Sequence, residues 1–251
     1  MKTKIKVEGG YRTDTEKKAM NDLGETFLAN PDSTEVKLQN FIKYVREQDL
    51  RRLLALYEIF NQVLSVKGSI IECGVYRGFG FMAWALLSSI LEPINLSRRI
   101  YGFDTFKGFP SIAKEDKNLY SKAKQNSLAS DSFDELNKLI KIYDSNRFLG
   151  HINKAQLIKG DAVKTIPEFI KDNSHLVVSL LFLDFDLFEP TKLAIENFLP
   201  RMPKGAIIVF DELDNPIWPG ETQALMGTIG INNLKIQRVK FDPYIGYAVI
   251  E

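Results

Sequence analysis

Residues 68–91 read GSIIECGVYRGFGFMAWALLSSIL. A short apolar run, SIIEC, is followed by a turn whose glycines fall at 74, 78 and 80, and then by a longer, almost wholly apolar run. The first run has the length of one buried strand, and the last has the length of a helix covered on most of its surface. The same unit recurs downstream. RRIYGFDTF (98–106), AQLIKGD (155–161), HLVVSLLFLD (175–184) and GAIIVFDE (205–212) read as strands. TIPEFIK (165–171) and PTKLAIENFLPRM (190–202) read as helices between them. Near-continuous apolar strands alternating with helices imply an α/β, doubly wound, mainly parallel Rossmann-like sheet covered on both faces. The last segments, LKIQRVKF (234–241) and YIGYAVIE (244–251) about the turn DPYIG, predict an antiparallel C-terminal pair.

Ahead of this unit, REQDLRRLLALYEIFNQVL (46–64) predicts an amphipathic helix with Leu50, Leu53, Leu54, Tyr57, Phe60 and Leu64 on one face. Residues 1–35 are polar and weakly periodic, and are expected to be a flexible arm or cap on a single domain spanning 36–251. The stretch SIAKEDKNLYSKAKQNSLASD (111–131) is long for a connection and reads as a lid-like insertion. A helix is expected to restart at Ser132, where SFDE offers a capping box.

The chain has 251 residues and a formal net charge of +1, without the basic footprint of a nucleic-acid binder. A single cysteine, Cys73, excludes an internal disulfide framework. No stretch has the length and apolarity of a signal region or a membrane span. The expectation is a cytoplasmic protein with no nucleic-acid or membrane partner.

Open parallel sheets bind ligands beyond the carboxyl ends of their strands. Each of the five expected strands brings an acid to that edge: Glu72, Asp104, Asp161, Asp184 with Asp186, and Asp211 with Glu212. Any one of them alone reads more simply as a helix cap or a solvated strand end, and it is the five together that point to a site. The glycine spacing G-x-x-x-G-x-G differs from a dinucleotide fingerprint, and Glu72 before it suits an amino group better than a pyrophosphate. Asp104 is placed to accept from ribose hydroxyls. A nucleoside with an amino-acid tail, S-adenosylmethionine, answers both. Asp184, Asp211 and Glu212 end what read as neighbouring strands, where unscreened carboxylates repel one another. An all-oxygen set of this kind selects a hard divalent ion such as Mg²⁺.

The blocks IIECGVYRGFG, YGFDTFKGFP, LLFLDFDLFEPTKLAIENFLPRMPKGAIIVFDE and WPG resemble those of the macrocin O-methyltransferase (TylF-type) family, from about residue 50 to just beyond Trp218. The resemblance implies a class I methyltransferase fold and metal-assisted methyl transfer to a sugar or natural-product hydroxyl. It also implies cofactor contacts from Glu72, Gly74, Tyr76 and Asp104, with Asp161 near the adenine. Val75, Gly78, Thr105 and Phe106 in the same blocks, and Gly160 and Ala162 on either side of Asp161, are further cofactor-side candidates, with Asp184 on both the cofactor and metal sides. Metal binding is implied for Asp184, Asp211 and Glu212. Two departures stand out: Glu212 replaces a common second Asp, and Leu187 occupies a position where some relatives hold a basic residue. Asp186, with Asp184, is left as the candidate proton acceptor. The acceptor is expected to be a small molecule and the protein a homo-oligomer. A metal-independent methyltransferase and a non-catalytic cofactor-binding protein are the rival readings, with an NAD-dependent oxidoreductase behind them. His151, His175, Cys73, Phe81 and Trp84 read as surface or packing residues. Phe79 and Trp218 are open to either reading.

Overall fold

A computed structural model describes residues 13–251. They form two compact units, one reaching Leu54 and the other comprising Ala55–Glu251. The first holds α1 (Asp14–Ala29), α2 (Thr34–Gln39), a 3-10 turn at Phe41–Lys43 and the start of α3 (Glu47–Gln62). The helical α1 lies within the stretch read as a polar arm, and the part of that stretch at 1–12 lies outside the described residues. A capping box at Thr13 and Glu16 starts α1, with the Thr13 amide donating to Glu16 Oε2 at 2.6 Å.

The second unit is built on a sheet of seven strands in the order β3-β2-β1-β4-β5-β7-β6. They are β1 (Ser69–Cys73), β2 (Ile100–Asp104), β3 (Ala155–Lys159), β4 (Val178–Leu183), β5 (Ile207–Phe210), β6 (Gln237–Arg238) and β7 (Gly246–Val249). The pairs β1–β2, β1–β4, β2–β3 and β4–β5 are parallel, and β7 runs antiparallel to β5 and β6. The helices are α4 (Phe79–Leu91), α5 (Phe133–Ser145), α6 (Ala162–Asp172), α7 (Phe188–Phe198) and α8 (Gly220–Gly227).

Strand alternation divides the core between two faces. On one face Phe103 meets Phe169 of α6 at 5.2 Å and Phe198 of α7 at 5.7 Å, among Ile71, Leu181, Leu183 and Ile208. On the other, Trp84 of α4 lies between Phe60 of α3 and Phe182 of β4, at 6.3 and 5.7 Å. Covering both faces explains why β1 and β4 are buried at every position and read as unbroken apolar runs.

Two local expectations are corrected. Helix α3 buries Ala55, Leu56, Ile59 and Phe60, whereas Leu54 is 54% and Tyr57 44% exposed. Of the expected stripe only Phe60 is fully buried, because the sequence offers two apolar stripes and tertiary packing selects the second. Ser132 does stand at the N-cap of α5, yet its hydroxyl donates to Tyr76 O at 2.5 Å and forms no capping bond.

Candidate active site

The chain crosses from β3 back to β4 on the far side of β1, so the strand order reverses between β1 and β4. Beyond their carboxyl ends the ladder continues by one residue. Gly74 N donates to Phe103 O at 2.9 Å, Asp184 N to Cys73 O at 2.8 Å and Asp211 N to Leu183 O at 3.0 Å. The register Leu183↔Phe210 makes Asp184 and Asp211 the next cross-strand neighbours. Gly74, at φ 101°, lets the turn pass against the Asp184 backbone, because a Cβ there would overlap Asp184 O.

A cleft of about 730 Å³, counting its solvent-open part, lies at this reversal. Gly74, Tyr76, Asp104, Thr105, Gly160, Asp161 and Ala162 line one end, and Asp184 and Asp186 line it beside them. Those nine sequence candidates are therefore brought together. Val75, Gly78 and Phe106 stand behind them. Phe106 is buried against Phe133 at 5.2 Å, and Gly78 caps α4 in a left-handed conformation. Glu72 lies apart from the cleft wall. It is 2% exposed beneath the first turn of α4, so that a Cβ on Gly80 would meet its Oε1 at 2.7 Å.

Asp104 organises the cofactor-side turn. Its Oδ2 accepts from Val75 N at 2.8 Å and Tyr76 N at 2.7 Å, and its Oδ1 accepts from Phe106 N at 2.6 Å. A carboxylate offers about four lone-pair directions, so an outward-facing part of Asp104 stays available to a ligand hydroxyl. Tyr76 and Phe106 hold φ of 51° and 56°, and Asp186 holds 61°. Three strands thus leave the sheet through left-handed non-glycine residues, a strained geometry that surrounding contacts must impose. Asp161 caps α6 by accepting from Val163 N at 3.1 Å while also lining the cleft.

The acid end contains groups that no motif announced. Glu221, fully buried in the first turn of α8, accepts from Asp186 N at 3.3 Å and Glu212 N at 3.0 Å. Asp116, in the 111–131 segment, accepts from Ala113 N at 2.8 Å and Phe188 N at 2.7 Å, taking over the cap of α7. Asn215 Nδ2 donates to Glu212 Oε2. Burial, then Glu212, Asp211 and Asp116, push the Asp186 carboxyl well above the usual carboxylate range. Burial and then Asp186 do the same to Glu221. Among the described residues, no three Asp, Glu, His or Cys side chains are gathered closely enough to hold a metal ion. Asp184, Asp211 and Glu212 therefore share an edge without forming a ready ligand set.

The 111–131 segment is tied down at several points. Asn118 Nδ2 donates to Pro216 O at 2.9 Å, Ser121 Oγ to Asp116 O at 2.5 Å and Ser130 Oγ to Tyr76 O at 2.8 Å. Its Leu128, with Phe109, Phe185 and Leu187, adds apolar wall that the sequence reading missed. Apolar residues inside polar loops carry no periodicity to reveal them. Trp218 packs edge-on against Phe109 at 5.8 Å, behind the cleft wall. Phe79 is 49% exposed, while Phe81 and Trp84 are buried. His151 and His175 are exposed. Burial raises the Cys73 thiol well above its usual range, so it is a packing residue rather than a nucleophile.

A sheet in this order, with an antiparallel last pair and a cleft at the β1/β4 reversal, is the class I methyltransferase fold. The macrocin-O-methyltransferase (TylF) family model matches residues 47–227, and the chain belongs to that family. CalS11, described as a calicheamicin methyltransferase, matches with a TM-score of 0.91 at 32% identity, covering 95% of this chain and 94% of that one. An apo structure of CalS11, described as a TDP-rhamnose 3'-O-methyltransferase, gives a TM-score of 0.84 at 30% identity, covering 95% and 96%. The 8-demethyl-8-(2,3-dimethoxy-alpha-L-rhamnosyl)-tetracenomycin-C 4'-O-methyltransferase of Streptomyces olivaceus is 23% identical over 178 residues. That match covers 65% of this chain and 60% of the relative's own length. Among the described residues, no helix is long and apolar enough to cross a membrane.

Proposed function

We propose that the protein is an S-adenosylmethionine-dependent O-methyltransferase whose acceptor is a sugar hydroxyl on a small molecule. The observation that carries this reading is one continuous cleft. Gly74, Tyr76, Asp104 and Asp161 line it at one end, and Asp184 and Asp186 line it alongside. The likeness to CalS11 over nearly the whole of both chains supports the same reading, and its printed acceptor suggests a nucleotide-linked deoxysugar as the first to test.

Bound S-adenosylmethionine would supply an electrophilic methyl group on its sulfonium. The chain's own part is to orient and to move a proton. Asp104 would hold the ribose edge while keeping the Val75–Tyr76 turn closed. The close pass of Gly74 over the Asp184 backbone would leave room for the methionine tail. Asp186 would take the acceptor's proton in its ionised form, which burial and the neighbouring acids make less populated but more basic than an exposed carboxylate. Fixing two reactants in line at near-attack distance removes much of the entropic barrier.

Asp184, Asp211 and Glu212 would hold a divalent cation, which when bound would acidify the acceptor hydroxyl. Their oxygen chemistry suits a hard ion and the strand register supports their nearness, but among the described residues the three side chains are not gathered closely enough to meet one without moving. Methyl transfer from labelled S-adenosylmethionine to TDP-rhamnose, with and without chelator, tests the proposal. Turnover lost with chelator and restored by Mg²⁺ supports the metal form, and turnover indifferent to chelator supports the metal-independent rival. Calorimetric cofactor binding without transfer to any sugar acceptor would leave a binding protein instead.

A further inference from the structure

Two buried carboxylates stand behind the Asp186 loop, outside the cleft wall. Glu221 is 0% and Asp116 2% exposed, and they come from elements far apart in sequence, α8 and the 111–131 segment. One oxygen of Glu221 takes the Asp186 amide and the other takes the Glu212 amide. Asp116 Oδ1 takes the Phe188 amide, two residues beyond Asp186. The junction between the two acids has no spare room. A Cβ on Gly220 would meet Asp116 Oδ1 and Phe188 N at 2.5 Å and Asp186 O at 2.6 Å. The short run Asp186–Phe188 is thus gripped from both sides while Asp186 sits at φ 61°.

A carboxyl group suits this grip, because its two oxygens can each accept from one N–H group. Helix stability alone does not account for it. An acid in a first helical turn is ordinarily solvated, whereas Glu221 is sealed from water beside Asp186, Asp211 and Glu212, all of which oppose its charge.

We propose that Glu221 is a positioning residue that fixes the loops after β4 and β5 relative to each other. In this role it holds Asp186 in its left-handed conformation and Glu212 at a set distance from it, with Asp116 as the second anchor. The grip itself is independent of the methyltransferase reading, and only its expected effect on turnover rests on that reading.

Glu221→Gln in the full chain tests it. The substitution is nearly isosteric, but its NH₂ must face one of the two amide N–H groups. Hydrogen exchange at the Asp186 and Glu212 amides, kcat and KM with S-adenosylmethionine and TDP-rhamnose, and calorimetric cofactor affinity are read together. Exchange should rise at both amides. The kcat should fall about 10- to 100-fold, the range expected when a reacting group is displaced by about an ångström. Cofactor affinity and KM should stay within about threefold, because the cofactor end of the cleft is built by other residues. Unchanged exchange overturns the grip. Raised exchange with unchanged kcat, or a kcat loss that merely follows lost cofactor affinity, overturns positioning. A wild-type protein that transfers no methyl to TDP-rhamnose counts against the proposed acceptor, and exchange at the two amides then decides the grip alone. Should Glu221→Gln fail to fold, Asp116→Asn carries the same readouts, with Phe188 as the amide released and unchanged protection overturning the proposal.

Discussion

At Asp104 a single side chain closes three backbone amides that would otherwise lie open at the end of β1 and β2. Hydrogen bonds to a charged acceptor are worth about 1.5–3 kcal/mol each, less at this half-exposed position. Asp104→Ala is therefore expected to cost roughly 2–4 kcal/mol in thermal or urea unfolding. It should also weaken S-adenosylmethionine binding at least about tenfold in calorimetry, as the turn reopens. Retained affinity would mean that the turn holds itself. Gly74→Ala acts through geometry instead, forcing a Cβ into Asp184 O, and should impair cofactor binding even in protein that still melts cooperatively. At this scale the sequence marks where acids reach the sheet edge but not what each one grips. Asp161 turns to cap α6, Glu72 slides under α4 and Asp104 takes amides, because each direction is set by whichever donors the fold brings near. Glu221 was illegible for the same reason: nothing in WPGETQAL distinguishes a buried bridging acid from a solvated first-turn acid.

Between elements, the edge of the sheet opposite the cleft is fastened by Arg98. Its guanidinium donates to Val63 O at 2.9 Å, Val66 O at 3.1 Å and Gly68 O at 3.0 Å, and also to Ser179 Oγ. It pairs with Glu92 at 2.7 Å. One side chain thus ties the end of α3, the entry to β1 and the start of β4 while fully removed from water. Removing one partner of a buried pair costs about 3–5 kcal/mol, and Arg98→Ala should lower the melting midpoint by roughly 6–20 °C for a chain of this size. Cofactor affinity of the folded fraction should be unchanged, since no part of the cleft lies at that edge. Nearby, Lys154 is 4% exposed and donates to Asn95 O at 2.8 Å. Burial, opposed by Glu92 and reinforced by Arg147, Arg98 and Arg99, pushes its ammonium down to about 8. Below pH 8 both folded and unfolded chains hold this proton. Between about 8 and 10.4 only the unfolded chain does, so stability rises with pH across that window. Relative to Lys154→Met, the wild type should gain about 1–3 kcal/mol in urea unfolding between pH 7 and 10. A constant difference would remove the buried-cation account. Element types follow directly from the apolar runs, while the face of α3 does not, because Leu54 and Tyr57 fit helical spacing as well as Leu56 and Ile59 do.

For the whole molecule, the alternation of runs is enough to expect a doubly wound sheet, and the observed order places the reversal between β1 and β4. Which acids then share one neighbourhood depends on two long-range events, the return of β4 beside β1 and the arrival of α8 over the β4 and β5 ends. Neither leaves a trace in local periodicity. The result is an acid-rich region in a chain of net charge only +1, with Asp186, Asp211, Glu212, Glu221 and Asp116 within electrostatic reach of one another. Such a region is self-repelling when empty, so its members should report a cation through stability as well as through turnover. Asp211→Asn is expected to raise the melting stability of the metal-free protein by about 0.5–2 kcal/mol, by removing one like charge from the group. Mg²⁺ at a hundredfold excess over its dissociation constant should stabilise the wild type by about 2.7 kcal/mol, a shift of roughly 5–11 °C, and Asp211→Asn much less. The stability difference between the two proteins should therefore reverse when Mg²⁺ is added, so one pair of melting series separates a cation site from acids that serve only to shape the cleft. If Mg²⁺ moves neither midpoint, Asp184, Asp211 and Glu212 hold no Mg²⁺, and the magnesium-assisted form of the proposal falls.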